Sequence, residues 1–173
     1  MQFAEAVRGR RSIRSFEPRA IEDDKLTAIL ETVDAAPSAG NLQAYEVVVV
    51  KDANTRQALS RAALGQGQVA RAPVVLVFLA HPLRSAPKYG SRGADLYSVQ
   101  DATIACAYAQ LAATDLGLSS CWIGAFAPEP VAEAVNAPKH LTPVAMLPLG
   151  YAAEEPGPTT RRGVRDIVTW ETF

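Results

Sequence analysis

Two hydrophobic patterns alternate along the chain, one with helical spacing and one with the continuous apolar character of buried strands. Apolar positions at helical spacing predict an early helix that ends at Gly9 and a second helix over residues 21–36, which Pro37 terminates. A run of four valines predicts a first strand over residues 46–51. Further helices are predicted over residues 54–64, with Asn54 as cap, and 128–135, and further strands over residues 73–80, 119–125 and 144–149.

The longest helical pattern covers residues 95–116 and is apolar on nearly every side. Such a helix has to be covered all round, which one small domain does with difficulty, so the pattern predicts that a partner subunit packs against it. Gly117 is placed to end this helix in a left-handed conformation. Ser98 and Asp101 have the spacing of a capping box, or else lie inside a helix that begins earlier. Residues 81–93, rich in proline, glycine and basic residues, are predicted to form an exposed, mobile loop.

The interleaving of helices and apolar strands predicts an α/β (α+β) sandwich, in which helices cover a mixed central sheet. Because the strands do not alternate apolar and polar residues, both faces of the sheet are expected to be covered. At 173 residues the chain has the length of one domain, so residues 1–173 are predicted to form a single domain.

Composition and charge argue against several classes of protein. With a formal net charge of −1, the chain lacks the basic character of a dedicated nucleic-acid binder. No apolar run reaches the roughly 18 residues of a membrane span, and the polar, basic N-terminus is unlike a signal peptide. Cys106 and Cys121 lie in apolar surroundings and are expected to be reduced, buried thiols of a cytoplasmic protein. His81 and His140 have no metal-ligand spacing, so no metal site is predicted.

Two short segments concentrate the polar chemistry. Residues 10–14 carry three arginines and a serine, and residues 37–43 carry Asn41 and Gln43 on a stretch bent by proline and glycine. A guanidinium offers a planar fork of donors that suits phosphate. Amide side chains both donate and accept, which suits the edge of a polar heterocycle. Together the two segments predict a binding site for a phosphorylated cofactor.

With these segments in place, the chain resembles the nitroreductase superfamily of flavin oxidoreductases over nearly its whole length. Any one landmark alone is a weak signal, whereas their common order and spacing indicate both the family and FMN without indicating a substrate. The landmarks are residues 10–14 (Arg-Arg-Ser-Ile-Arg), residues 36–43 (Ala-Pro-Ser-Ala-Gly-Asn-Leu-Gln), residues 117–126 (Gly-Leu-Ser-Ser-Cys-Trp-Ile-Gly-Ala-Phe), and residues 149–151 (Leu-Gly-Tyr) followed by Arg161 and Arg162.

The resemblance implies roles for the early basic segment. Arg10, Ser12 and Arg14 resemble the groups that hold the ribityl phosphate and the pyrimidine edge of FMN. Arg11, between them, is implied as a further contact through its main chain or side chain. Arg14 is the first choice for stabilising the anionic reduced ring.

Other cofactor contacts are implied later in the chain. Arg161 resembles the late basic residue that returns to the phosphate, with Arg162 as the alternative if the register shifts by one. Gln68 stands where the family often has an amide or lysine near the ring. The segment that a second subunit contributes to the same flavin is matched by Pro37, Ser38, Asn41 and Gln43. The strand whose main chain faces the ring is matched by Ile123, Gly124 and Ala125.

The resemblance also implies the reaction and the assembly. FMN carries the chemistry, and the expected cycle is ping-pong: NADH or NADPH reduces FMN and leaves before a small acceptor, such as a nitroaromatic or a quinone, takes its place. The implied assembly is an intertwined homodimer with the flavin at the subunit interface. Two alternatives stay open, namely a specialised flavin dehydrogenase or dehalogenase on the same scaffold, and a non-catalytic FMN-binding module.

The chain also departs from the family pattern. Many relatives have proline and tryptophan where this chain has Ala44 and Tyr45, and many have an acid where it has Ile123. The segment between the long helix and the strand near Trp122 is minimal. Substrates of larger members are therefore not expected to transfer to this chain.

Overall fold

A computed structural model describes residues 2–173 as a four-stranded sheet enclosed by helices. The strands lie in the order β1-β2-β4-β3 with antiparallel neighbours, where β1 is Tyr45–Val50, β2 is Val74–Ala80, β3 is Ser119–Ser120 and β4 is Thr142–Gly150. A parallel bridge between Ser12 and Ser120 adds the mixed character. The helices are α1 (Phe3–Gly9), α2 (Asp23–Asp34), α3 (Ala53–Ala62), α4 (Gly67–Arg71), α5 (Pro82–Arg92), α6 (Ser98–Asp115), α7 (Pro128–Ala134) and α8 (Val164–Ile167). The predicted fold class is confirmed.

Strand β2 is buried at every position and supplies side chains to both faces of the sheet. Leu76 and Phe78 join an apolar cluster with residues of α2 and α6. Val75 and Val77 join a second cluster with residues of α3, α4 and α7. Fully burying a side chain such as Phe78 stabilises the fold by about 1.5–3 kcal/mol. The prediction that both faces are covered is therefore confirmed.

The long apolar helix is confirmed as α6, which a π-helical turn (Gly93–Tyr97) precedes. Ser98 thus lies inside a continuous helical stretch, and its hydroxyl donates to the Ala94 carbonyl oxygen at 2.7 Å. Gly117 ends the stretch with a φ of 74°, as predicted. One side of α6 stays open in the protomer, since Tyr108 is 38% exposed. Among residues 2–173, no helix is both long enough and apolar enough to cross a membrane.

The prediction of a loop over residues 81–93 is wrong, because most of this stretch forms α5. Pro82 occupies the first turn, where a helix does not use the missing N–H. Most of the stretch is exposed, as predicted, while Ser85 is fully buried and anchors the helix against the protein. Gly90, with a φ of 60° and a ψ of −148°, is not helical and marks a kink between two helical segments of α5. Proline and glycine marked a loop in the sequence, yet here they begin and kink a helix.

The predicted strand over residues 119–125 is confirmed only at its start, because β3 is two residues long. The next residue, Cys121, donates its N–H to the Pro148 carbonyl oxygen at 3.3 Å. Pro148 has no N–H to return, so the ladder stops there. Pairing resumes as an isolated bridge between Ile123 and Met146.

The cap of α3 is Asp52 rather than the predicted Asn54. The Asp52 carboxylate accepts the main-chain N–H of Thr55 at 2.7 Å and its hydroxyl at 2.8 Å. These two hydrogen bonds hold the pKa of Asp52 below its usual value. Asp and Asn are both favourable N-cap residues. Because α3 begins at Ala53, the N-cap is Asp52 and Asn54 lies inside the helix.

A polar network fastens the end of β4 to the start of α2. The Tyr151 hydroxyl donates to Glu22 Oε2 at 2.6 Å and accepts from Lys25 Nζ at 2.8 Å. The Arg19 guanidinium lies 3.8 Å from the centre of the Tyr151 ring and also binds Glu22 at 2.7 Å. The hydrogen bond from Tyr151, followed by those from the Glu22 main chain and Arg19, lowers the pKa of Glu22 to about 2.

This network predicts a pH dependence of stability. Because the pKa of Glu22 is about 2 in the fold against an ordinary 4.5, its contribution is present above pH 4.5 and is lost as the pH falls towards 2. We expect the urea midpoint to fall less over this window in Glu22→Gln than in the wild type. Glu31→Gln, on the same helix, is the matched control, since the structure shows no hydrogen bond or ion pair for that carboxylate within residues 2–173. An equal fall of the urea midpoint in the wild type and in Glu22→Gln would contradict the prediction.

Candidate cofactor-binding site

Residues 10–17 leave α1 and run beside β3. Ile13 is 5% exposed, and its N–H donates to the Ser120 carbonyl oxygen at 3.0 Å. Because Ile13 points into the core, its neighbours Ser12 and Arg14 project the other way. Arg14 is exposed and Ser12 is half-buried. The main chain is therefore fixed to the sheet while polar side chains face outwards.

The first two arginines of this segment differ in their contacts. Arg11 turns back onto α1, where its Nη1 donates to the carbonyl oxygens of Arg8 at 2.5 Å and Arg10 at 2.9 Å. An arginine at a helix C-terminus satisfies the last carbonyls and interacts favourably with the helix dipole. Arg10 has no such side-chain bond within residues 2–173. Both residues line a cavity of about 320 Å³ beside Glu154.

Helix α4 supplies the neighbouring wall. Arg71 Nη2 donates to the Arg14 carbonyl oxygen at 3.4 Å. Gln68 is 8% exposed and donates to Gln66 Oε1 at 3.1 Å, and Gln66 in turn donates to the Ala125 carbonyl oxygen at 2.9 Å. This relay ties Gln68 to the predicted ring-facing stretch. In that stretch Ile123 is buried, whereas Gly124 and Ala125 are exposed.

Several charged and polar groups of this segment affect the pKa of one buried thiol, that of Cys121. Burial raises the pKa of the Cys121 thiol, while the Arg14 and Arg10 guanidinium groups and a hydrogen bond with Ser12 oppose that rise. Both arginines and the Ser12 hydroxyl thus act on the same point. Ser120, which precedes Cys121 in the chain, has a buried Oγ without a partner among the described residues. A hydroxyl in this position is available to a bound group.

The donor set fits FMN. Guanidinium groups suit a phosphate, and Arg10 and Arg14 precede and follow Ser12 in the same segment. The buried amide of Gln68 suits the polar edge of the flavin ring. Within residues 2–173, no three His, Cys, Asp or Glu side chains are grouped to hold a metal ion.

A second site segment, residues 37–43, is held by a buried carboxylate. Asp101 of α6 is 2% exposed and accepts the N–H groups of Ala39 at 2.9 Å and Ala44 at 3.3 Å. Ser38 Oγ accepts the Gln43 N–H at 2.9 Å. Sequence reasoning assigned Asp101 to a helix face or a cap, because its partners lie 57 and 62 residues away.

The same segment has an unusual main chain. Gly40, Asn41 and Gln43 all have a positive φ, of 58°, 57° and 47°. The Gln43 side chain donates to the Asp34 carbonyl oxygen at 3.3 Å, and the Gln43 main-chain carbonyl oxygen accepts from Arg84 Nη1 at 3.1 Å. Residues other than glycine rarely adopt this conformation, so it persists only where the surroundings hold it.

The predicted site residues form separate groups in the protomer. No hydrogen bond joins residues 37–43 to residues 10–14 within the described chain. Arg161 and Arg162 are exposed and bind only nearby residues of the tail, at Thr159, Thr160 and Asp166. The structure therefore gathers one group, Arg10, Arg11, Ser12, Arg14, Gln68, Ile123, Gly124 and Ala125, and leaves apart Pro37, Ser38, Asn41, Gln43, Arg161 and Arg162.

Comparisons with known proteins identify the family of this chain. The sequence profile of the Nitroreductase family matches residues 7–73 and 62–151. A protein of Thermus thermophilus named NADH dehydrogenase is 36% identical, over 93% of this chain and 92% of its own. An FMN-dependent nitroreductase from Clostridium difficile superposes with a TM-score of 0.84 and 27% identity, over 98% of this chain and 99% of its own. The NADPH:FMN oxidoreductase from Vibrio harveyi, complexed with NAD⁺, gives a TM-score of 0.91 and 26% identity, over 99% and 77%.

Removing the Asp101 carboxylate is predicted to loosen residues 37–44. In Asp101→Asn an amide N–H₂ replaces one acceptor, so one main-chain N–H loses its partner. We expect the free energy of unfolding to fall by about 1.5–3 kcal/mol, measured by urea denaturation. Amide exchange at Ala39 and Ala44 should become faster. Asp95→Asn, on the exposed turn before α6, is the control, and similar stability and exchange in the two variants would count against the assignment.

Proposed function

The chain belongs to the nitroreductase family, and on that premise we propose that it reduces small nitroaromatic or quinone-type acceptors by a ping-pong mechanism. The proposal treats residues 1–173 as one FMN-binding domain. The observation that supports it most directly is the basic segment at residues 10–14. Its main chain is fixed to the sheet, and it lies beside helix α4, which carries Gln68.

The chain is an FMN-dependent oxidoreductase that takes electrons from NAD(P)H. When bound, FMN supplies the redox chemistry by accepting a hydride from the nicotinamide and passing reducing equivalents to the acceptor. The protein supplies binding, orientation and electrostatics. We assign these tasks to the residues below.

The phosphate end is assigned to Arg10, Ser12 and Arg161. Arg10 lines the cavity, Ser12 lies beside the Cys121 thiol, and Arg161 stands on the exposed tail. Arg162 is the alternative to Arg161, and Arg11 contributes mainly by satisfying the end of α1. Guanidinium and hydroxyl donors on a fixed main chain hold an anion without having to reorganise.

The ring end is assigned to Arg14, Gln68 and the stretch from Ile123 to Ala125. A cation beside the pyrimidine edge favours the more negative, reduced ring, so Arg14 makes the cofactor easier to reduce. Gln68 is oriented by its bond to Gln66. Gly124 and Ala125 are exposed, and we assign their main chain to the ring.

We further propose a homodimer in which residues 37–43 of one subunit complete the flavin site of the other. The open side of α6, marked by Tyr108, agrees with this arrangement. The C-terminal tail also agrees with a dimer, because it exposes several large apolar side chains. These are Val164 (72% exposed), Ile167 (64%), Val168 (42%), Trp170 (84%) and Phe173 (114%). Apolar side chains concentrated in this way mark a contact surface. In the assembly, Ser38, Asn41 and Gln43 offer polar groups to the flavin and Pro37 shapes their turn.

The proposal predicts a coloured protein that cycles. Purified protein should show a flavin spectrum that bleaches when NADH or NADPH is added without oxygen and returns when a nitroaromatic or a quinone follows. Light scattering on the same sample should give the mass of two chains. Double-reciprocal plots for donor and acceptor should be parallel, as ping-pong kinetics requires.

Each contrary outcome identifies a different error. A flavin that binds but does not bleach would favour the specialised dehydrogenase or dehalogenase, or the non-catalytic module. A fully loaded monomer would contradict the shared site. Failure to bind FMN even when it is supplied would overturn the site assignments.

The phosphate assignment predicts the effect of two substitutions. Arg10→Ala and Arg161→Ala should each weaken FMN binding by about 1.5–3 kcal/mol, the worth of a charge-assisted hydrogen bond. Fluorescence titration of the apoprotein measures this change. Arg165→Ala removes an equally exposed charge from the same tail and should leave the affinity unchanged. Unchanged affinity in both test variants would remove these residues from the site.

A further inference from the structure

The chain returns to the arginine segment after β4 and pairs with it. The Glu17 N–H donates to the Tyr151 carbonyl oxygen at 2.9 Å, and the Ala153 N–H donates to the Ser15 carbonyl oxygen at 3.0 Å. Residues 16 and 152, between them, form an antiparallel bridge. This register brings residue 154 opposite residue 14.

Beyond this bridge, the hydrogen bonds to residues 14 and 15 come from a side chain and not from the main chain. Glu154 Oε1 accepts the N–H of Arg14 at 2.5 Å and the N–H of Ser15 at 3.0 Å. One carboxylate oxygen thus satisfies two consecutive N–H groups, and such charge-assisted bonds are roughly twice as strong as neutral ones. A negative charge therefore holds the main chain of Arg14, the residue assigned to the ring.

The same carboxylate lies among the cations of the site. It lines the cavity that Arg10 also lines. Glu154 and the arginines act in opposite directions on the pKa of Cys121, which Glu154 raises and the arginines lower, although burial is the larger cause of the rise. The negative charge of Glu154 and the positive charges of Arg10 and Arg14 therefore affect the same thiol, Cys121.

We propose that Glu154 is a positioning residue for the flavin. Its carboxylate fixes the main chain that carries Arg14, and its charge offsets part of the Arg14 charge at the ring, which lowers the reduction potential of bound FMN. The physical reason is that a negative charge near the pyrimidine edge disfavours the reduced, more negative ring. The inference rests on the proposed function.

The variant Glu154→Gln removes the negative charge of the side chain while keeping nearly the same shape. The amide keeps an oxygen that accepts both N–H groups but carries no charge. We expect this variant to bind reduced FMN at least threefold more tightly relative to oxidised FMN, which corresponds to a potential about 14 mV higher for a two-electron couple. Equilibration with a reference dye measures the potential of the loaded protein. Because Glu154 is exposed, the difference should shrink in concentrated salt.

Two further variants complete the test. Glu155→Gln removes the neighbouring charge, which lines the same cavity but makes no hydrogen bond to residues 10–15 within the described chain, and should shift the potential less. Glu154→Asp keeps the charge on a shorter side chain, so it should weaken FMN binding about tenfold, through a lost charge-assisted bond, without raising the potential.

The outcomes separate this inference from the function on which it rests. An unchanged potential in FMN-loaded Glu154→Gln, or an equal shift in Glu155→Gln, would overturn the role of Glu154 and leave the proposed function intact. If Glu154→Gln does not fold, a raised potential or unchanged FMN affinity in Glu154→Asp would overturn it. A wild type that does not bind FMN would overturn both.

Discussion

Strand β2 has no exposed residue, and this double-sided burial is the constraint on which the other elements depend. A strand whose alternate side chains are all apolar needs a cover on each face of its sheet. Helices α2 and α6 provide one cover, and α3, α4 and α7 provide the other. The strand pairs with β1 on one side and β4 on the other. The edge beyond β4 then becomes the place where short, irregular segments attach.

The candidate site is built at that edge from main-chain contacts. β3 is short because Pro148 has no N–H for a longer ladder, and the stretch after it, which we assign to the flavin ring, is joined to the sheet by an isolated bridge at Ile123. The arginine segment attaches to β3 on one side and to residues 151–154 on the other. Its side chains therefore do not have to hold the segment in place. Arg11 satisfies the end of α1, whereas the Arg10 side chain has no hydrogen bond within residues 2–173 and is available to a ligand, as a site needs if it is to bind without reorganising.

Opposite charges around this edge serve different tasks. The guanidinium groups of Arg10, Arg14 and Arg71 surround a segment whose main-chain N–H groups are held by the Glu154 carboxylate. On the other segment, the buried Asp101 carboxylate binds main-chain N–H groups and has no basic partner within residues 2–173. In both places a carboxylate organises main chain.

The sequence by itself determined the helices and strands with strong periodicity, the burial of both sheet faces and the four landmarks. These features depend on residues a few positions apart, and a chain carries that information locally. It did not determine α5, because proline and glycine break helices in most contexts, whereas here Pro82 stands in the first turn of the helix and Ser85 is buried against the protein. It also missed Gln66, Arg71, Asp101 and Glu154, whose partners lie between 57 and 140 residues away. Contacts at such separations arise from sheet register and helix packing, so only the tertiary structure decided which polar residues hold the site together.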